Sequence, residues 1–240
     1  MRPLPPLGRT GWLLVAAAAA AGAVLFAVPA IDHAAARLFY DGARFPAETD
    51  ATVQAIRRAA RIPGWILGAA AILSLAWRLA RRRWLFGLDR KAIVYLVAVA
   101  LIGPALLVNG VLKEHWGRAR PYQTVDFGGD KAFTPPLIPA DQCARNCSFV
   151  SGEVAYGFFF TALGFLAAAP ARRRVFAAAI GFGAAIAVIR VAQGGHWLSD
   201  AYFAALFTVA IAWLLHHWIV REDAVGRLLG IARPRPAIPR

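Results

Sequence analysis

The sequence predicts an all-α, integral membrane bundle of six helices, and three observations carry that reading. Apolar residues make up 59% of the 240-residue chain, and the mean hydropathy is +0.53, where a soluble domain is about 45–50% apolar. The excess is gathered into six long runs. The basic residues behind the net charge of +14 stand in short connections between those runs, the pattern that orients a membrane protein. They form no single patch of the kind that binds nucleic acid.

Met1 to Thr10 is Pro-rich and basic and is expected as a cytoplasmic N-terminus, residues 1–10. Gly11 to Ile31 is the first apolar run. Small residues near Val28-Pro29-Ala30 also fit a cleaved signal peptide. A retained helix is favoured, because the run reaches the roughly 20 residues a span needs. Asp32 to Arg61 is mixed in charge and reads as an amphipathic interfacial segment. Ile62 to Trp77 is a short second span, with Trp65 and Trp77 suited to the two interfaces. After a dense basic loop, Ala92 to Leu112 forms the third span, in which Pro104 predicts a kink. The polar stretch Lys113 to Val150 carries Pro121, Pro135, Pro136 and Pro139. Ser151 to Ala169, Val175 to Val191 and Trp197 to Val220 are spans four to six, and 221–240 is a basic, Pro-rich tail expected in the cytoplasm.

With both termini inside, sixteen of the 27 Lys and Arg fall on the inner side, among them Arg81 to Arg83, Arg172 to Arg174 and Arg221. This bias satisfies the positive-inside rule. It also puts Lys113, Ser151, Arg190 and His196 at span ends on the same outer side. Cys143 and Cys147 lie in the outer loop, where a disulfide and two free thiols are both open readings. No histidine stands near enough to them to suggest zinc.

Between Arg190 and Asp200 the chain reads R-V-A-Q-G-G-H-W-L-S-D. His196 and Asp200 are four apart and share a helix face. A carboxylate there can accept from one imidazole nitrogen and leave the other as nucleophile or base. Arg190 offers a fixed guanidinium fork to a tetrahedral oxyanion. Upstream stand K-E-H-W-G-R-A-R-P from Lys113 to Pro121 and S-F-V-S-G-E from Ser148 to Glu153. Ser151 is a good N-cap, and a helix N-terminus offers free amides to an anion.

These three segments, K-x6-R-P, S-G-E and R-x5-H-x3-D, resemble the type 2 phosphatidic acid phosphatase and vanadium haloperoxidase superfamily over about residues 60 to 220. Ile189 stands where that pattern has serine, Val150 where it has proline, and Glu153 where it has histidine. The resemblance implies that Lys113, Arg120 and Arg190 bind phosphate oxygens, with Ser151 and Gly152 adding hydrogen bonds. It implies that His196 attacks phosphorus and Asp200 holds it. Glu153 then occupies the position of the acid that protonates the leaving alkoxide, unless it only pairs with an arginine. His115 and Arg118 are secondary candidates.

On this reading residues 11–220 are a six-span phosphatase domain with its active-site core at about 92–215. The expected activity is metal- and cofactor-independent hydrolysis of a lipid phosphate monoester or diphosphate, a lipid A-like substrate among the options. The expected location is the bacterial inner membrane, with the site facing the periplasm or exterior. The expected partners are a phospholipid or lipid-linked phosphate and the membrane. A vanadate-dependent haloperoxidase and a non-catalytic lipid-binding or transport bundle are the rivals; the latter predicts polar groups near the midplane. Trp116 and Trp197 read as interface anchors, His33 as surface, His216 and His217 as inner-interface residues, and Tyr156 as core or as a partner of Glu153.

Overall fold

The computed structural model describes residues 8–222. The proposed N-terminus (1–10) and basic tail (221–240) therefore lie largely outside the described residues. Among those described, the elements are helical and no strand forms; Thr124 and Lys131 make an isolated bridge.

The alanine-rich first run forms α1 (Arg9–Ala27), whose side chains are mostly exposed, as a lipid-facing surface is. The segment read as interfacial breaks into α2 (Ala30–Arg37), α3 (Pro46–Thr49) and α4 (Ala51–Ala59). Asp50 caps α4 by accepting from the Val53 amide at 2.8 Å. α4 runs on into α5 (Ile62–Arg81), so 51–81 forms a rod, amphipathic at its start and apolar beyond, longer than the predicted span. Its outward residues, Trp65, Ile66, Ile72 and Leu79, are exposed. Arg82 ends it in the left-handed region.

Asp89 caps α6 (Arg90–Ala100), accepting from the Ala92 amide at 2.9 Å. The helix continues through a π-helical stretch, Leu101–Leu112, into a final turn, α7 (Lys113–His115). The expected disturbance at Pro104 thus takes the form of a widened helix: proline lacks the N–H that an α-helical turn needs. Asn109 Nδ2 donates to the Pro104 carbonyl at 2.6 Å.

The fourth run is two short helices, α8 (Gly152–Phe159) and α9 (Thr161–Leu166), shorter than the predicted 151–169. α10 (Ala169–Ala192) starts earlier than predicted. Pro170 sits in its first turn, where a missing N–H costs nothing, so Arg172 to Arg174 are helical and not a loop. α11 (Leu198–Leu215) ends in a π-helical turn, His216–Arg221. Among the described residues five helices are long and apolar enough to cross a bilayer, with Gly152–Leu166 a shorter sixth. The chain is an all-helical, multi-pass membrane protein.

α8 lies at the centre, packed on α10, α11 and the π-helical stretch. Burial within protein explains its length, since a helix walled by its neighbours need not match the hydrocarbon thickness. Gly157 lets α8 and α10 approach closely: a Cβ there would stand 2.9 Å from the Gly183 Cα. Two apolar clusters fill the bundle. One lies around Tyr95, Val99, Phe159 and Ala212, and the other around Val108, Val150, Val154 and Phe203. A third, of Ala36, Phe45, Phe127 and Trp197, seals the end where the long polar loop returns. That loop carries a Cys143–Cys147 disulfide.

Candidate active site

The stretch from Arg190 to Asp200 folds locally because Gly194 adopts φ +60. The chain can then leave α10 and enter α11 within a few residues. A Cβ at Gly195 would stand 2.5 Å from Arg190 Nη2, so only glycine lets the guanidinium lie back over this turn. Arg190 is nearly buried and donates from Nη1 to Gln193 Oε1.

His196 is buried, and its Nδ1 meets the Ser148 carbonyl at 2.8 Å. A carbonyl can only accept, so Nδ1 carries the hydrogen and Nε2 keeps its lone pair. This differs from the expected pairing. The nearer Asp200 oxygen is 3.8 Å from Nδ1, beyond hydrogen-bond length. Burial holds the His196 imidazole down at about 3; the Arg190 and Arg120 charges add to this, and Asp200 opposes it. The ring is therefore neutral at working pH.

Asp200 is taken up by other partners. It accepts from the Trp197 amide at 2.9 Å, from Ser148 Oγ at 2.5 Å and from Arg118 Nη1 at 2.5 Å. Ser148 thus touches Asp200 with its hydroxyl and His196 with its carbonyl, linking the two indirectly. Arg118 is fully buried and also donates to Asp32 at 2.8 Å, to Ser199 at 2.8 Å and to the Thr134 carbonyl at 2.8 Å. Its guanidinium lies 5.3 Å from the Phe133 ring centroid and 5.6 Å from that of Trp197. Asp32 further accepts from the Ser199 amide and hydroxyl. The network gives one guanidinium to two carboxylates, with serine hydroxyls and amides filling the remaining sites.

A cavity of about 750 Å³ opens beside His196. Lys113, Arg120, Glu153 and Arg190 stand at its polar end, and α5 and α6 supply an apolar wall that includes Leu67, Ala71 and Leu96. Lys113 Nζ donates to Asn146 Oδ1 at 2.9 Å, and Arg120 Nη2 donates to the Asn146 carbonyl at 2.7 Å. Gly152 lines the cavity, whereas Ser151 is buried behind it, its hydroxyl accepting from the Val154 amide at 3.4 Å. The expected site residues thus converge, except that Ser151 and Asp200 lie buried behind the cavity wall.

Glu153 faces cations. Arg57 Nε donates to both its oxygens, at 2.8 and 2.9 Å. Arg190 Nε lies 3.3 Å away and Arg61 Nη2 3.9 Å. The arginine pairing that was one reading of this residue is therefore present. Tyr156 does not touch Glu153; its hydroxyl donates to the Arg61 carbonyl at 3.0 Å. His115 is exposed and does not line the cavity.

The motifs give no role to Arg57, Arg61, Asp32, Asn146 or Ser148, although Ser148 opens the second of them. Arg57 and Arg61 did carry a signal, being four apart on one amphipathic face. Asp32 is a lone acid flanking an apolar run and gives none. Two other expectations are corrected. Trp197 is fully buried, its indole donating to the Ala119 carbonyl at 2.9 Å, because the long loop folds over it. His33 is half-buried against the rings of Phe133 and Trp197. Among the described residues no three His, Cys, Asp or Glu gather as a metal site.

Comparison with known proteins agrees with this geometry. Three lipid A 4'-phosphatases are similar to the chain. That of Francisella tularensis subsp. novicida is 40% identical over 134 residues, 55% of this chain and 60% of the relative. That of Rhizobium leguminosarum is 45% identical over 116 residues, 46% and 48% respectively. That of Rhizobium etli is 44% identical over 119 residues, 48% and 41%. The chain thus spans about half the length of the curated relatives it matches. No solved structure matches. The family model of the PAP2 superfamily matches residues 91–224, which hold all three motifs with Lys113, Arg120, Arg190 and His196, and the chain belongs to that superfamily.

Proposed function

We propose that this protein is a membrane phosphatase that hydrolyses a lipid phosphate ester, a lipid A-type phosphate monoester first among candidates, through a phosphohistidine on His196. The observation that carries the reading is the cavity. A neutral imidazole and three cations stand at one end, and an apolar wall runs along α5 and α6 at the other. A phosphate on a lipid needs both. The similarity to lipid A 4'-phosphatases supports the substrate class.

In the proposed reaction Lys113, Arg120 and Arg190 take the phosphate oxygens, together with the Gly152 amide at the N-terminus of α8. His196 Nε2 attacks phosphorus, and Nδ1–H stays on the Ser148 carbonyl. Asp200 stabilises the imidazolium that forms as the P–O bond breaks. Glu153 gives its proton to the departing alkoxide. In the second step it takes a proton from the water that cleaves the P–N bond, so the enzyme and its protons are restored. An incoming phosphate competes for Arg57 and Arg190, which loosens their hold on Glu153. A proton shared between the carboxylate and the phosphate oxygens then relieves the repulsion between them.

The site is proposed to face the periplasm or exterior of a bacterial inner membrane, since the basic connections crowd the opposite end of the bundle. The family's haloperoxidase chemistry is not favoured. A transport role is not favoured either, because the polar clusters lie at the ends of the bundle and not near its midplane. The test is phosphate release from purified lipid phosphates in detergent. Release from a lipid A-type monoester, lost in His196→Ala, is the expected result. No release from any lipid of the panel would refute the proposal.

A further inference from the structure

A second polar cavity, of about 200 Å³, lies at the far end of α11. From His196 to His217 is about 30 Å along the helix axis at 1.5 Å per residue, comparable to the hydrocarbon core. The two cavities therefore belong to opposite ends of the bundle. Arg172, Arg221, His216 and His217 line the second, with Trp213 and Phe176 as aromatic walls. Among the described residues no carboxylate lines it.

His217 is 6% exposed, yet neither ring nitrogen has a hydrogen-bond partner among the described residues. A neutral imidazole carries one donor and one acceptor, and leaving them buried and unmet is costly. The sequence gives this end a local reason to exist. The π-helical turn His216–Arg221 brings His217 and Arg221, four apart, to the cavity, and α10 contributes Arg172 from its first turn. Arg172 donates only long hydrogen bonds, 3.3 and 3.2 Å, to the Ala167 carbonyl. Guanidinium forks and imidazole N–H groups around one space suit a tetrahedral oxyanion. The volume equals roughly six or seven waters at about 30 Å³ each, enough for a phosphate and the first atoms of its ester.

We propose that this inner-end cavity binds a phosphate group, separately from the catalytic pocket. It is carried by an anionic phospholipid of the inner leaflet or by free phosphate. The aromatic walls would receive the glycerol end of a headgroup, and cationic pockets between helices on the cytoplasmic side are a general means of holding anionic lipids.

The test uses the full chain in phosphate-free maltoside micelles with ¹⁵N-labelled histidine. The His217 resonance is identified by its loss in His217→Gln. Inorganic phosphate, phosphatidylglycerol and, as the phosphate-free lipid, diacylglycerol are titrated in turn. A saturable shift at His217 with phosphatidylglycerol alone supports a headgroup site, and one with inorganic phosphate supports an anion site. Arg172 is exposed, so Arg172→Gln should fold and should raise the half-saturating concentration about tenfold. No shift with either phosphate source, an equal shift with diacylglycerol, or unchanged affinity in Arg172→Gln would overturn the proposal.

Discussion

Replacing Glu153 by glutamine separates its two roles, because the structure sets a different magnitude for each. As an anchor, Glu153 makes two hydrogen bonds to Arg57 and stands 3.3 Å from Arg190. Its side chain is 30% exposed, so solvent screens part of the pairing. Losing a charge-assisted contact of this kind costs about 1–2 kcal/mol, or roughly five- to thirtyfold. The cost falls on the cations that hold phosphate and so weighs equally on every substrate. As the acid, Glu153 matters in proportion to the basicity of the leaving group. Its loss should slow a lipid alkyl phosphate by about a hundredfold or more, while an aryl phosphate needs little protonation. The assay is kcat/KM for both substrates on the wild type and on Glu153→Gln, with single-turnover trapping of the phosphoenzyme from the aryl substrate. The expected outcome is an alkyl loss about a hundredfold larger than the aryl loss, with phosphoenzyme still forming. Equal losses on the two substrates would refute the acid role and leave the arginine anchor as the whole function of Glu153.

Three further outcomes follow from the buried network. Arg118→Met strands Asp32 and Asp200 without their guanidinium and should destabilise the protein by about 3–5 kcal/mol; unfolding in detergent should show Asp32→Asn/Arg118→Met recovering part of that, and strict additivity would argue against the network. Asp200→Asn should lower stability and activity together, since Asp200 accepts from Arg118, Ser148 and Trp197; a variant that loses activity with an unchanged unfolding midpoint would contradict this. His196 is held at about 3, below its ordinary 6.5, so between these values the unfolded chain binds more protons. Its contribution to stability is complete above about pH 6.5 and declines as the pH falls toward 3. The difference in unfolding midpoint between wild type and His196→Gln should shift against the wild type from pH 7.5 to pH 5, and kcat should show no His196 titration between pH 5 and 8.

The membrane class, the number of apolar runs and the convergence of Lys113, Arg120, Arg190 and His196 were legible in the sequence. Hydropathy is a local property, and the parity of spans puts their ends on one side without any knowledge of packing. The K-x6-R-P and R-x5-H-x3-D spacings carried the chemistry for the same reason: each lies within one short segment whose residues must be neighbours. What the sequence could not contain is which distant groups meet. Asp32 reaches Arg118 across 86 residues and Ser199 across 167, and Arg57 reaches Glu153 from outside the matched region. The Ser148 carbonyl, a backbone atom with no sequence signature, takes the imidazole hydrogen that motif reasoning assigned to Asp200. Burial is likewise a tertiary property. Trp197 looked like an interface anchor until the long loop closed over it, and α8 could be short because protein rather than lipid surrounds it. Residue type and spacing decided what chemistry is available; only packing decided which carboxylate faces which cation, because that depends on contacts between segments far apart in the chain.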